Sequence, residues 1–227
     1  MTAAQSKTFK YYDVIVAMFV TVLIVSNIVS TKLIGSGPLL FDAGTVLFPF
    51  AYIIGDVLTE VYGYKRARRT IWLGFYSLLV LSVTLLLVQA LPAASGWENQ
   101  AAYESILGFV PRIALASLCG YIVGEFANSF VLAKLKVRTS GKLLWLRTIS
   151  STVVGSALDT IVFSVIAFGG MLTSSELMQL IATVYGIKLA VEIICTPITY
   201  AVVGYLKKAE GSDIYDRDTN FSPFARD

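Results

Sequence analysis

The sequence predicts an all-α membrane protein with six transmembrane helices and both termini cytoplasmic, and three observations carry that prediction. The chain is 56% hydrophobic and only 15% charged, with a mean hydropathy of +0.72. It holds six apolar stretches long enough to cross a hydrocarbon core of about 30 Å, which takes about 20 helical residues. If all six cross, fifteen of the 18 Lys and Arg residues fall on one side. Basic residues concentrate in cytoplasmic loops, so that side is expected to be the cytoplasm.

The first span runs over Tyr11–Ser30. Its apolar run is too long for the core of a signal peptide, so it is expected to remain as a helix. The outer connection Lys32–Ala43 carries Gly35, Gly37 and Pro38, which are turn residues. The second span, Gly44–Tyr64, contains Pro49, which frees a backbone carbonyl and supplies a bend. A basic connection, Lys65-Arg66-Ala67-Arg68-Arg69, leads to the third span, Thr70–Leu91. The long outer crossover Leu91–Val110 holds Pro92, Gly96, Trp97 and Tyr103. Trp and Tyr favour the headgroup level, so an interfacial turn or short helix is expected there.

The fourth span is Pro111–Lys134. Ala116, Gly120 and Gly124 recur along it every four residues, a spacing that lets helix backbones approach closely within the bundle. The fifth, Arg147–Met171, ends at Gly169-Gly170. The sixth, Leu177–Leu206, is long enough to tilt or to kink at Pro197. Residues 1–210 form one transport domain on this reading, and residues 211–227 a short cytoplasmic tail. Three spans, an outer crossover and three more spans is a layout compatible with inverted halves.

Several function classes are excluded. The net charge of +3 arises from basic residues at membrane edges, where they orient the chain and meet anionic lipid; it is no nucleic-acid signal. Cys119 and Cys195 lie inside apolar spans and read as small packing residues. The chain has no histidine, no Gly-rich phosphate loop and no nucleophile–base pair. No enzyme, metal site or cofactor is expected.

Six ionisable residues lie within the spans: Asp56, Glu60, Glu125, Asp159, Lys188 and Glu192. Each costs roughly 2.5–3.5 kcal/mol at bilayer depth on insertion scales, so such residues face a protein interior or a watered pathway. Tyr52, Asp56 and Glu60 are four apart and share one helical face. At 1.5 Å per residue, Glu60 lies roughly 8 Å from Lys65 and Asp56 roughly 14 Å. Glu60 therefore has two readings, a partner for the cytoplasmic basic cluster or part of a site, whereas Asp56 favours a lined cavity. Tyr121, Glu125 and Asn128 share another face; they form a binding surface or an interhelical clamp. Asp159 lies roughly 18 Å from Arg147, near the midplane, on a small polar stripe with Ser151, Gly155, Ser156 and Thr160. Transporters hold substrates at that depth, although a buried pair of Asp159 with Lys188 is the alternative. Lys188 and Glu192 are one turn apart and could pair with each other. Asn27, between Ser26 and Ser30, needs a partner in the first span. Five carboxylates against one lysine is a surplus that a low-dielectric interior does not hold unaided. It points to a substrate rich in N–H groups or to proton coupling.

These residues carry a family resemblance. Phe48-Pro49-Phe50-Ala51-Tyr52, then Asp56-Val57-Leu58-Thr59-Glu60-Val61-Tyr62-Gly63 and a basic turn, resembles the second-span signature of the queuosine precursor transporters. The likeness extends through Ser26-Asn27, Glu125-Phe126-Ala127-Asn128, Arg147 to Ser151, Asp159-Thr160, and the tail motifs Asp213-Ile214-Tyr215-Asp216 and Asn220-Phe221-Ser222-Pro223-Phe224. The resemblance implies a six-helix, multi-pass protein of the bacterial inner membrane. Its fold would be similar to the substrate-binding membrane subunits of vitamin transporters. It would import 7-cyano-7-deazaguanine, and in some members 7-aminomethyl-7-deazaguanine, for queuosine salvage in transfer RNA. The candidate substrate-binding set is Asn27, Tyr52, Asp56, Glu60, Glu125, Asn128, Asp159, Lys188 and Glu192. A carboxylate can accept the ring N–H and amino group of a deazaguanine together. Tyr52, Tyr121 or Phe163 could stack on the ring.

Overall fold

A short, polar-faced helix sits at the centre of the bundle. The computed structural model describes residues 9–36, 39–107, 110–170, 172–217 and 219–225. Gly37, Pro38 and Met171, named above, lie outside them. Helix α1 (Tyr12–Val29) leads to two short antiparallel strands, β1 (Leu33–Ser36) and β2 (Leu39–Asp42), paired from Leu33 with Asp42 to Ser36 with Leu39. The outer connection is thus a small hairpin, set in an architecture that is otherwise helical, as expected. A 3-10 turn (Ala43–Val46) follows, and then α2 (Phe48–Tyr62).

Helix α2 differs from the expected second span. Pro49 lies in its first turn, where the missing N–H would have no intrahelical partner; it starts the helix and does not bend it. The 15 residues of α2 rise only about 22 Å, short of a bilayer core. Almost every residue of α2 from Ala51 onward is buried, and the helix packs against α1, α3, α5 and α7. A helix wrapped by protein has little lipid to face, so it can carry Asp56, Thr59 and Glu60 at no exposure.

The turn after α2 is a single residue. Gly63 adopts φ +82°, a conformation that costs glycine nothing and other residues dearly, and α3 (Tyr64–Gln89) begins at once. Lys65, Arg66, Arg68 and Arg69 therefore lie on the first turns of α3, and the expected basic loop does not form. Good helix formers in this run explain the early start. The crossover carries α4 (Gln100–Leu107), the expected short surface helix. Helices α5 (Val110–Arg138), α6 (Leu144–Phe168) and α7 (Ser174–Glu210) complete the bundle. Helix α6 stops at Gly169, as expected. Helix α7 opens on a capping box between Thr173 and Glu176, runs through Pro197 and closes at Gly211. Among the described residues, five helices, α1, α3, α5, α6 and α7, are long and apolar enough to cross a membrane.

The closest pairing in the bundle is α5 on α6, and the small residues allow it. A Cβ on Gly124 would lie 2.6 Å from Asp159 Cβ, 2.7 Å from the Tyr52 hydroxyl and 2.9 Å from the Gly155 carbonyl. A Cβ on Gly155 would lie 2.7 Å from Asn128 Cβ. The Gly120–Gly124 stripe thus packs within the bundle, as its spacing predicts. Overpacking typically costs about 1–3 kcal/mol, whereas Gly→Ala in an open helix gains up to about 1 kcal/mol. Gly124→Ala is therefore expected to lower the thermal unfolding midpoint in detergent. Gly204→Ala, at a position with open space around it, should leave the midpoint unchanged or raise it.

Candidate functional site

The intramembrane ionisable residues separate into three environments. The first is a saturated ion cluster at the basic end of the bundle. Glu60 accepts from Arg147 Nη2 at 2.7 Å and Nε at 3.2 Å, and from Lys207 Nζ at 2.6 Å. Lys136 Nζ lies 3.6 Å from the same carboxylate and donates to the Glu60 backbone carbonyl at 2.5 Å. Arg147 also donates to the Lys142 carbonyl. Glu60 does pair with cations, but with Arg147 and Lys207 and not with the Lys65–Arg69 run.

The same cluster fastens the tail. Asp213 bonds Lys136 at 2.7 Å and Lys207 at 2.9 Å, and Lys136 reaches the Ile214 carbonyl at 2.6 Å. Asp216 accepts from the Tyr64 backbone N–H at 3.0 and 3.1 Å. A carboxylate at the first turn of α3 satisfies an orphan donor and complements the helix dipole. Further along, Arg68 donates to the Asn220 and Ser222 carbonyls, Tyr64 to that of Phe221, and Trp72 to that of Pro223. The tail is held by side chains of α3, α5 and α7 over its described length.

The second environment is one ion pair. Lys188 Nζ lies 2.5 Å from Asp159 Oδ2 and 3.2 Å from Thr160 Oγ1. The alternative of a Lys188–Glu192 pair one turn apart is not what forms; Lys188 reaches across to α6.

The third environment is a group of acceptors without protein partners. Asn128 Nδ2 donates to Asp56 Oδ1 at 2.7 Å, and the Ser151 hydroxyl approaches the same oxygen at 3.4 Å. That leaves Asp56 Oδ2 and Asn128 Oδ1 buried with no hydrogen-bond partner among the described residues. Glu125 Oε2, both Glu192 oxygens, Thr152 Oγ1 and Ser156 Oγ share that condition. They come from α2, α5, α6 and α7, and the four positions besides Asp56 and Asn128 are buried as well. Glu125 Oε2 would sit 2.9 Å from a Cβ on Gly55, so it lies against α2 beside Asp56. A buried polar atom left unsatisfied costs about 1–3 kcal/mol. Seven would cost on the order of 10 kcal/mol, comparable with the whole stability of a domain. An arrangement of that kind is built to meet hydrogen-bond donors from a ligand or from water.

Residues 42–202 match a family described as "Putative vitamin uptake transporter". Over 170 residues the chain is 35% identical to the "Probable queuosine precursor transporter" of Bacillus subtilis (strain 168), covering 74% of each chain. The chain belongs to the queuosine precursor transporter family. A Haemophilus influenzae relative with the same description is 31% identical over 125 residues, 55% of this chain and 51% of that one. The "Queuosine precursor transporter" of Escherichia coli (strain K12) is 30% identical over 125 residues, 55% of this chain and 54% of that one. No solved structure matches the chain. Family membership and the five long apolar helices make this a multi-pass bacterial membrane protein.

The family match spans α2 and the whole acceptor group, but Asn27 and the tail lie outside it. Asn27 is half-buried and donates to the Leu23 carbonyl of its own helix. Tyr52 is buried, with its hydroxyl at the Gly124 notch. Tyr121 donates to the Ile71 carbonyl at 3.0 Å, and Phe163 is half-buried on α6. The reading of the sequence passed over Thr152, although it lies four residues before Ser156 on the same stripe. It also missed Lys136, Lys207 and Asp213 as partners of the Glu60 cluster. Their distance along the chain from Glu60 hid them.

Two expected outcomes follow from the ion cluster. Removing one partner of a buried ion pair costs about 3–5 kcal/mol, so Glu60→Gln should sharply lower the unfolding midpoint in detergent. Burial pushes the Asp213 carboxyl up, but hydrogen bonds and charge from Lys136 and Lys207 outweigh it and hold the carboxyl below its ordinary value. A depressed folded value stabilises docking fully above the unfolded value near 3.9 and is lost as pH falls through the folded one. Protection of the tail amides against hydrogen exchange, taken relative to the intrinsic rate at each pH, should therefore be high at neutral pH and fall on acidification below the ordinary Asp range. Asp213→Asn should exchange faster at neutral pH and lose that acid dependence.

Proposed function

We propose that this protein imports queuosine precursors, 7-deazaguanines, across the bacterial inner membrane for modification of transfer RNA, and that it is a transporter and not an enzyme. The named relatives support the substrate class. The observation that carries the reading in this chain is the acceptor edge made by Asp56 Oδ2 and Asn128 Oδ1. The Asn128 amide bonds one oxygen of Asp56, which orients the other beside its own unpartnered carbonyl oxygen. A deazaguanine offers a ring N–H and an exocyclic amino group along one edge, the donor pattern that two neighbouring acceptors recognise. Glu125, Thr152, Ser156 and Glu192 supply further polar atoms to the same interior, and Tyr52 an aromatic face. Asp159 and Lys188 form the paired wall of the site.

The topology that goes with this function has six crossings, with α2 as the protein-enclosed sixth. The basic end, with Lys10, Arg66, Arg69, Lys134 and Lys208, then faces the cytoplasm together with both termini. In this reading the fold is similar to the membrane subunits that bind vitamins, and residues 1–210 are the transport domain.

The test is rescue. A strain unable to make the precursor, fed a deazaguanine and expressing this chain, should regain queuosine in its transfer RNA; no rescue with protein in the membrane would refute the proposal. Asp56→Asn should lower uptake by about tenfold to a hundredfold, the value of a charge-assisted hydrogen bond, at unchanged membrane abundance.

A further inference from the structure

Glu192 stands apart from the other interior carboxylates. It is fully buried on α7, and neither of its oxygens has a hydrogen-bond partner among the described residues. Lys188, the lysine one turn before it, is bonded to Asp159 and Thr160. Glu60 has three cations around it. Asp56 is held on one oxygen by Asn128 and Ser151. Helix α7, which carries Glu192, packs directly on α2, which carries Asp56, and both carboxylates are fully buried in the bundle interior.

The two acids present different chemistry. Asp56 with Asn128 is a fixed pair of acceptors, suited to a planar edge with two N–H groups at set spacing. Glu192 is untethered at both oxygens, which suits a compact ammonium, whose three donors rotate and impose no plane. When ionised it needs a counter-ion, because a buried unpaired carboxylate is strongly destabilising. A ligand with a neutral heterocycle at one end and a cation on a short arm answers both demands.

Building on the transport reading above, we propose that Glu192 sets substrate preference by pairing with a protonated amine on the side arm of the heterocycle, so that an aminomethyl deazaguanine is taken in preference to its nitrile counterpart. Asp56 and Asn128 read the ring edge that the two compounds share, and Glu192 reads the arm that distinguishes them.

The experiment measures uptake of labelled 7-aminomethyl- and 7-cyano-7-deazaguanine by cells expressing the full chain. Wild type should favour the amine. Glu192→Gln should lower amine uptake relative to nitrile uptake by about tenfold or more, and Glu192→Asp, which keeps the charge, should restore most of the preference. Equal loss of both compounds in Glu192→Gln, at wild-type abundance in the membrane, would overturn the assignment. So would a variant that alters only the pH dependence of nitrile uptake, which would make Glu192 a proton carrier. If Glu192→Gln fails to reach the membrane, competition in wild type decides: the amine must displace labelled nitrile better than unlabelled nitrile does, and weaker displacement overturns the assignment. Wild type that imports neither compound overturns the transport reading itself, whereas wild type that prefers the nitrile overturns only the role of Glu192.

Discussion

The fold depends on a carboxylate that cannot be left alone. Glu60 has no exposure, and an ion removed from water at that depth is tolerated only when paired and hydrogen-bonded. The pairing draws Arg147 from α6, Lys207 from α7 and Lys136 from α5 onto one point of α2. Asp213 then bridges two of those lysines and brings in the tail. One buried charge thereby fixes the relative position of four helices. The acceptor group begins one turn away: Asp56 precedes Glu60 by four residues, and Ser151 follows Arg147 by four. The ion cluster sets the register in which Asp56, Ser151 and Asn128 meet.

A second constraint works at shorter range. Asn128 of α5 is seated against Gly155 of α6 because the two helices meet without intervening side chains. The contact points are Gly120 against Asp159, Gly124 against Gly155 and Gly155 against Asn128 Cβ, each with room for no Cβ. In a membrane, where lipid is as apolar as leucine, close backbone approach is a main source of helix association. The glycines therefore serve packing and site together. They bring polar side chains of α2, α5 and α6 into one interior while the lipid-facing surface stays apolar.

How much of this was legible in the sequence depends on the range of the interaction. Short-range features read through: the spans of α1, α5 and α6 to within a few residues, the α4 surface helix, the stop at Gly169 and the packing stripe at Gly120–Gly124. The start of α3 did not, because a run of Lys and Arg looks like a loop until a positive-φ glycine makes a one-residue corner. The hairpin Leu33–Asp42 was hidden for a similar reason; turn residues mark a turn without announcing the pairing around it. At the site, helical spacing placed Asp56 with Glu60 and Glu125 with Asn128 on common faces. It left two partners open for Asp159, and the structure selects Lys188. It offered Glu192 as a mate for Lys188, which geometry refuses, since the lysine turns toward α6. Partners far apart in the chain, such as Glu60 with Lys207 and Asp213, have no local signature.

The charge surplus noted in the sequence thus resolves into a division of labour along the bundle. Where cations are abundant, at the basic end, the carboxylates Glu60 and Asp213 are neutralised and act as structure. At mid-depth Asp159 spends the interior's lysine. The carboxylates that remain, Asp56, Glu125 and Glu192, lie where the chain places no further cation among the described residues of the spans, and they keep unpartnered oxygens. Substituting hydrophobic residues there would have been the more stable solution for a bundle with no other task, because buried ion pairs are often replaced at no cost by well-packed apolar groups. Retaining three acids and an amide there, at a penalty comparable with the folding free energy, is physically reasonable when water or a ligand supplies the missing donors. A carrier must also let that ligand go. Acceptors held ready, but bonded to nothing of their own, bind a donor-rich substrate without first breaking internal hydrogen bonds, and water can take its place on release.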